Sequence, residues 1–171
     1  MDDQELDMLR GLKGPLDRII TFQLGDIMAA PNFLASQGLM VFTEFLGGIG
    51  TGLLGNPEKV AKPRFSAGLD LLGPAYSNNR QELWNFRNAV LHQYLPPGKP
   101  GRDYRIVKDP SFPQGFAISR DEKGREVWLL NVPAWVRDGW LAYSTVLSKL
   151  TGDAALLGKV KKVIERLPGI A

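Results

Sequence analysis

The sequence predicts a mainly α fold: a bundle of four to six helices with a small β-hairpin inserted before the last long helix. Three observations predict it. Apolar residues recur at three- and four-residue steps over most of the chain, the spacing that lines one face of an α-helix. Proline–glycine breaks punctuate these stretches at Gly14-Pro15, Gly73-Pro74, Pro96-Pro97-Gly98 and Pro168-Gly169. One stretch, GFAISRDEKGREVWLL (115–130), instead places two short β-rich arms around a polar turn. The chain has 171 residues, 44% of them hydrophobic and 23% charged, ordinary values for one globular domain. Residues 1–171 are therefore expected to form one domain, with 96–131 as a proline-rich loop and hairpin insertion.

Each element has its own signal. Leu6, Leu9, Leu12, Leu16, Ile19 and Ile20 mark a helix from 3 to about 23, which Gly14-Pro15 is placed to kink or split. Asn32 is suited to cap a second helix to about 46, with Phe33, Leu34, Met40, Val41, Phe45 and Leu46 on its apolar side. GGIGTGLLGNP (47–57) reads as a break. A third helical region starts after Pro63 and stops at Gly73-Pro74. Ser77 or Asn78 then opens a helix over 79–95, with Leu83, Phe86, Val90 and Tyr94 as its apolar positions. A short strand is expected near Tyr104 to Val107, and hairpin arms at Phe116 to Ser119 and Glu126 to Leu130 around Asp121-Glu122-Lys123-Gly124. Pro133 sits at the first turn of the last long helix, whose buried stripe is expected to hold Trp135, Val136, Trp140, Tyr143, Val146, Leu147 and Leu150. A short basic helix over 153–167 follows.

Composition excludes several classes of function. The chain has no cysteine, which removes disulfides, thiolate metal sites and cysteine nucleophiles and fits a reducing, cytoplasmic setting. A net charge of +3 permits phosphate contacts without demanding them. Its densest basic cluster, Lys159, Lys161, Lys162 and Arg166, reads first as a solvated helix face. FLASQGLMVFTEFLGGIGTGLLG (33–55) is long enough to span a bilayer, but Glu44 lies near its middle and five glycines fill its second half. A buried helix is the better reading, and no membrane contact is expected.

Three familiar site patterns fail. GGIGTGLLGN lacks the Lys-Ser/Thr pair of a phosphate loop and follows a helix rather than a strand. One histidine and no cysteine leave no metal site with ordinary ligand spacing. No serine sits in a nucleophile-elbow motif. Neither metal nor cofactor is expected. Glu44, alone on an apolar helix, is expected to pair with Arg87 or Arg80 across the bundle.

The stretch that carries chemistry is NFRNAVLHQY (85–94), which holds the one histidine. Asn88 and His92 are four residues apart and share a helix face. Arg87 lies about 140° round the helix from His92, a gap that a long arginine is able to reach across. Trp84 sits one turn before Asn88, and Tyr94 follows His92. A guanidinium fork matches phosphate oxygens, and an imidazole moves protons near neutral pH. RNA supplies its own 2′-hydroxyl nucleophile, so such a set suits metal-independent phosphodiester cleavage. That chemistry wants both a base and an acid. One protomer has one histidine, so a two-fold dimer facing both His92 residues into one cleft is the natural expectation. The plain structural alternative stands beside it: a histidine near a helix C-terminus favours the macrodipole, and Tyr94 is suited to a core position.

Arg87-Asn88-x-x-x-His92, extended by Tyr94, resembles the signature of the HEPN superfamily, the "higher eukaryote and prokaryote nucleotide-binding" helical domains. The extended form is similar to the Arg-x4-His-x-Tyr pattern of HEPN toxins paired with minimal nucleotidyltransferase antitoxins. The resemblance implies a helical bundle, a homodimer and a metal-independent endoribonuclease, with RNA as substrate and a nucleotidyltransferase antitoxin as partner. It implies that Arg87 binds phosphate, Asn88 orients it, and His92 is base or acid. It makes Tyr94 a modification site, with Trp84 beside the substrate. The insertion at 96–131 departs from a minimal HEPN toxin and follows the motif directly. HEPN members also include non-catalytic sensors, so a helical protein that binds a ligand or a protein partner is the alternative.

Overall fold

The computed structural model describes residues 3–30, 32–54, 57–92 and 102–166. Among them are seven helices and three strands. The mainly helical class is as expected. The count of helices is higher because Gly73-Pro74 cuts a separate turn out of the third helical region.

Helix α1 (Asp3–Ala29) runs through Gly14-Pro15 as one element. An interior proline costs about 3 kcal/mol, yet each fully buried leucine or isoleucine returns roughly 1.5–3 kcal/mol. Leu12, Leu16, Ile20, Leu24 and Ile27 form one unbroken buried stripe on both sides of that proline. Packing therefore carries the helix across its weak point.

Helix α2 (Asn32–Thr51) also outruns expectation, continuing through Gly47, Gly48 and Gly50. These glycines serve a close crossing with α3 (Pro57–Leu72) rather than a loop. A Cβ on Gly47 would lie 1.8 Å from the Arg64 carbonyl oxygen, and one on Gly68 would lie 1.9 Å from the Thr43 carbonyl oxygen. Only glycine lets the two backbones approach so far. The stop comes at Gly52, whose φ of 69° closes the helix while Leu53 N–H donates to the Gly48 carbonyl at 3.0 Å. The apolar span Phe33–Thr51 is long enough to cross a membrane, but most of it is buried in this protein. It packs against α1, α3, α5 and α6, as a core helix does.

Helix α3 begins at Pro57 and carries Pro63 inside it, six residues earlier than the break at Pro63 suggests. After Gly73 (φ 108°) comes the single turn α4 (Pro74–Ser77). Helix α5 (Arg80–His92) buries Leu83, Phe86, Ala89 and Val90. The expected end of α5 at residue 95, and Tyr94 with it, lie outside the described residues.

The β-structure is a sheet of three strands, not a hairpin alone. β2 (Phe116–Arg120) and β3 (Glu126–Asn131) pair antiparallel, with Phe116 opposite Leu130. β1 (Arg102–Val107) pairs parallel on the other side of β3, with Tyr104 opposite Trp128. The short strand near Tyr104 is thus an edge of the same sheet. Its return loop is pinned by Asn131, fully buried, whose amide donates to the Asp109 and Phe112 carbonyls, each at 2.8 Å. Tyr104, Trp128 and Phe116 turn one sheet face toward Phe86 of α5 and Tyr76 of α4.

Helix α6 (Val132–Gly152) supplies Trp135, Tyr143, Val146 and Leu150 to the core. Trp140, expected in that stripe, is 39% exposed and edges onto Tyr143 instead. The Tyr143 hydroxyl donates to Asp17 at 2.7 Å, tying α6 to α1. Helix α7 (Ala154–Ile164) is capped by Asp153, which accepts from Leu156 N–H at 2.9 Å.

Candidate functional site

Three helices meet at one carboxylate. Glu44 stands on α2 among apolar neighbours, so its charge needs partners. The Gly47–Gly68 crossing brings α3 close enough for the Arg64 guanidinium to bond Glu44 Oε1. From the other side, Arg87 of α5 donates to Glu44 Oε2 at 2.6 Å. All three side chains are largely buried, at 12% exposure for Glu44 and 13% for each arginine.

Arg87 is held from two further directions. Its Nη1 donates to Asn88 Oδ1 at 3.0 Å, and its guanidinium lies over the Trp84 ring, 5.0 Å from the centroid. Arg64 has less support: its Nη1 reaches the Leu53 carbonyl only at 3.5 Å. The Nε atoms of both arginines are buried and, among the described residues, have no hydrogen-bond partner. A cavity of about 250 Å³ opens beside this cluster, lined by Glu44, Arg64, Arg87 and the apolar Val41, Phe45 and Leu54.

Two cations on one carboxylate leave one positive charge, and partial burial shields it from salt. Chemically, this arrangement is able to hold an oxyanion whose remaining body is apolar. Among the described residues no group of His, Asp or Glu is arranged to hold a metal ion.

Trp84, Arg87 and Asn88 are thus brought together, and His92 is not brought to them. His92 is the last residue of α5, exposed, and it does not line the Arg87 cavity. The rotation of α5 explains this. Leu83, Phe86 and Val90 point into the core and set the helix's facing. At about 100° per residue, Arg87 then flanks α2 while His92 falls roughly 140° away. The arginine does not reach round, because Glu44 holds it on the α2 side. Tyr94 lies outside the described residues.

No family model, curated protein or solved structure matches this chain.

Glu44 does pair with Arg87, one of its two expected partners. The other, Arg80, pairs with Asp70 at the surface instead. Arg64 was the residue that sequence reasoning missed. A signal existed: a carboxylate alone on an apolar helix has two oxygens to satisfy, and one arginine engages only one of them here. The basic residues of the C-terminal region are largely solvated, with Lys161 placed 3.6 Å from Glu165.

Proposed function

We propose that this chain is a HEPN-like helical-bundle protein that binds a small anionic ligand, a phosphate or carboxylate on an apolar body, in the Arg64–Glu44–Arg87 cavity. One observation carries this reading: two guanidiniums share a single carboxylate at the wall of an open cavity whose other walls are Val41, Phe45 and Leu54. The surplus charge attracts the anion, the guanidinium fork fits its oxygens, and the apolar wall takes the rest of the ligand. Binding is favoured over catalysis because Arg87 is engaged with Glu44 and the imidazole lies outside the cavity.

The test uses the carboxylate as a competitor. Thermal unfolding is followed with inorganic phosphate or a nucleoside monophosphate added. Wild type is expected to gain stability with ligand, Arg64→Gln to lose that gain, and Glu44→Gln to gain more per unit of ligand, because the competing charge is gone. A cluster that is only structural would lower the melting temperature of both variants with no ligand-dependent difference, and that result defeats the reading.

A second reading is favoured by the exposure of His92 at the end of α5, one turn from Asn88 on the same face. It is the metal-independent endoribonuclease, with RNA as substrate, His92 residues from two copies forming a composite cleft in a homodimer, and a nucleotidyltransferase antitoxin acting on Tyr94. RNA incubated with the protein in EDTA is then cut to products with cyclic phosphate ends. Cleavage disappears in His92→Ala and in Arg87→Ala. RNA left intact at high protein concentration, or cut equally by the variants, removes this reading and leaves the first standing.

A further inference from the structure

We propose that the tip of the β2–β3 hairpin is a binding surface for the phosphate backbone of a single-stranded nucleic acid. This does not rest on the Glu44 cavity or on the α5 motif. A concave surface of about 400 Å³ lies at that end of the sheet, lined by Arg105, Arg120, Asp121, Glu122, Lys123 and Arg125. All four cations are exposed.

The carboxylates there do not cancel them evenly. Asp121 is committed to the turn. Its Oδ1 accepts from the backbone N–H of Arg125 at 2.8 Å and of Lys123 at 2.9 Å, and its Oδ2 accepts from Arg125 Nε at 2.7 Å. The backbone bond from Arg125 leads the effects that hold this carboxyl below the usual carboxylate range. Arg105 pairs with Asp103 at 3.0 Å, an exposed contact of the kind water and salt weaken readily. Arg120 and Lys123 are different. Among the described residues neither makes an ion pair: Arg120 reaches only the Gly124 carbonyl at 3.5 Å. Glu126, the carboxylate that feels the Arg120 charge, is already bonded to the Trp128 indole and to Arg102.

The turn is also pre-set. Gly124 takes a φ of 73°, and Asp121 N–H donates to the Arg125 carbonyl at 2.9 Å. The backbone of the turn needs little ordering when a ligand binds, so the ordering cost falls on the exposed Arg120 and Lys123 side chains. The chemistry of the tip selects among polyanions. Residues 120–125 read RDEKGR, with no apolar side chain to enter an acyl layer. Asp121 and Glu122 stand among the cations, an arrangement that repels a continuous sheet of anionic headgroups more than a single line of spaced phosphates. Phosphate contacts read neither base nor sugar, so single-stranded RNA and DNA are expected to bind alike.

The experiment measures fluorescence anisotropy of labelled polyuridine and labelled polydeoxythymidine over a salt series. Wild type is expected to bind both, with affinity falling steeply as salt rises. The double variant Arg120→Gln/Lys123→Gln is expected to bind about tenfold more weakly at low salt, with the log–log slope smaller by about 1.4, at roughly 0.7 per lost phosphate contact. Both side chains are exposed, so the fold survives, and an unchanged circular dichroism melt verifies it. Lys162→Gln on α7 and Arg64→Gln in the cavity are expected to leave the slope as it is. The proposal is overturned if the double variant keeps the wild-type slope, if Lys162→Gln alone removes it, or if anionic vesicles or polyglutamate bind while neither strand does.

Discussion

Two charge clusters in this protein are built as opposites. On α2, one carboxylate sits between two arginines, and Arg87 lies over Trp84. At the sheet, one arginine sits between two carboxylates: Arg102 bonds Glu82 of α5 at 2.8 Å and Glu126 of β3 at 2.7 Å, and lies over Trp128 at 4.3 Å from the centroid. The same parts are combined in opposite proportion. Their surroundings differ too. The Glu44 cluster is largely buried and walls a cavity, whereas the glutamates around Arg102 are 30% and 35% exposed and close a seam between α5 and the sheet. A buried carboxylate at a cavity wall is suited to a ligand site; an arginine whose two carboxylates reach solvent is suited to joining two elements. The role of an ion cluster thus follows from how deeply its central residue is buried and from what stands beside it.

Removing the central residue of each cluster should separate them. Glu44→Ala leaves two buried guanidiniums facing each other and should lose about 3–5 kcal/mol in urea unfolding, the range for breaking a buried pair from one side. Equal losses from Glu44→Ala and Arg102→Ala would break the contrast. Next in size is Gly68→Ala, which pushes a methyl group into the Thr43 carbonyl and should lose about 1–3 kcal/mol by overpacking. It should also abolish the phosphate-dependent gain in melting temperature, because α3 is pushed back and carries Arg64 out of the cavity wall. Arg102→Ala should lose less, about 1–2 kcal/mol, since its two glutamates already reach water.

That smaller loss should also depend on pH. The Trp128 indole bond, followed by Arg102, holds Glu126 below its usual value of 4.5. A carboxyl depressed in the folded state contributes stability above the unfolded value and loses it as pH falls through the folded one. The difference between wild type and Arg102→Ala should therefore be full at neutral pH and shrink below 4.5. A difference that grows on acidification contradicts the assignment. The smallest effect belongs to Asn88→Ala. It removes one lateral bond to Arg87 and should lose roughly 0.5–1.5 kcal/mol, with the ion pair to Glu44 retained.

Much of the local structure was legible. The stripes Leu12–Leu16–Ile20 and Leu83–Phe86–Val90 named their helices because burial repeats with the helical period. Glu44 announced that it needed a cation, and one of the two arginines suggested for it does pair with it. The misreadings share a cause. GGIGTG looked like a loop because glycine weakens an isolated helix; it is helix because Gly47 faces Gly68 across a crossing that admits no side chain. Pro15 looked like a break for the same local reason. Trp140 sat at the spacing of a buried stripe, yet no neighbour covers it fully.

Pattern along the chain settled the mainly helical class, the candidate residues of α5 and the demand for a partner at Glu44, because these depend on contacts within a turn or two of helix. Folding in three dimensions chose Arg64 as the second cation, joined β1 to β3 across an intervening strand, and turned Arg87 toward α2 with His92 facing away. Those outcomes depend on which backbones come close and how each helix is rotated about its axis. Both are set by the fit of many distant side chains at once, and no short stretch of residues encodes them.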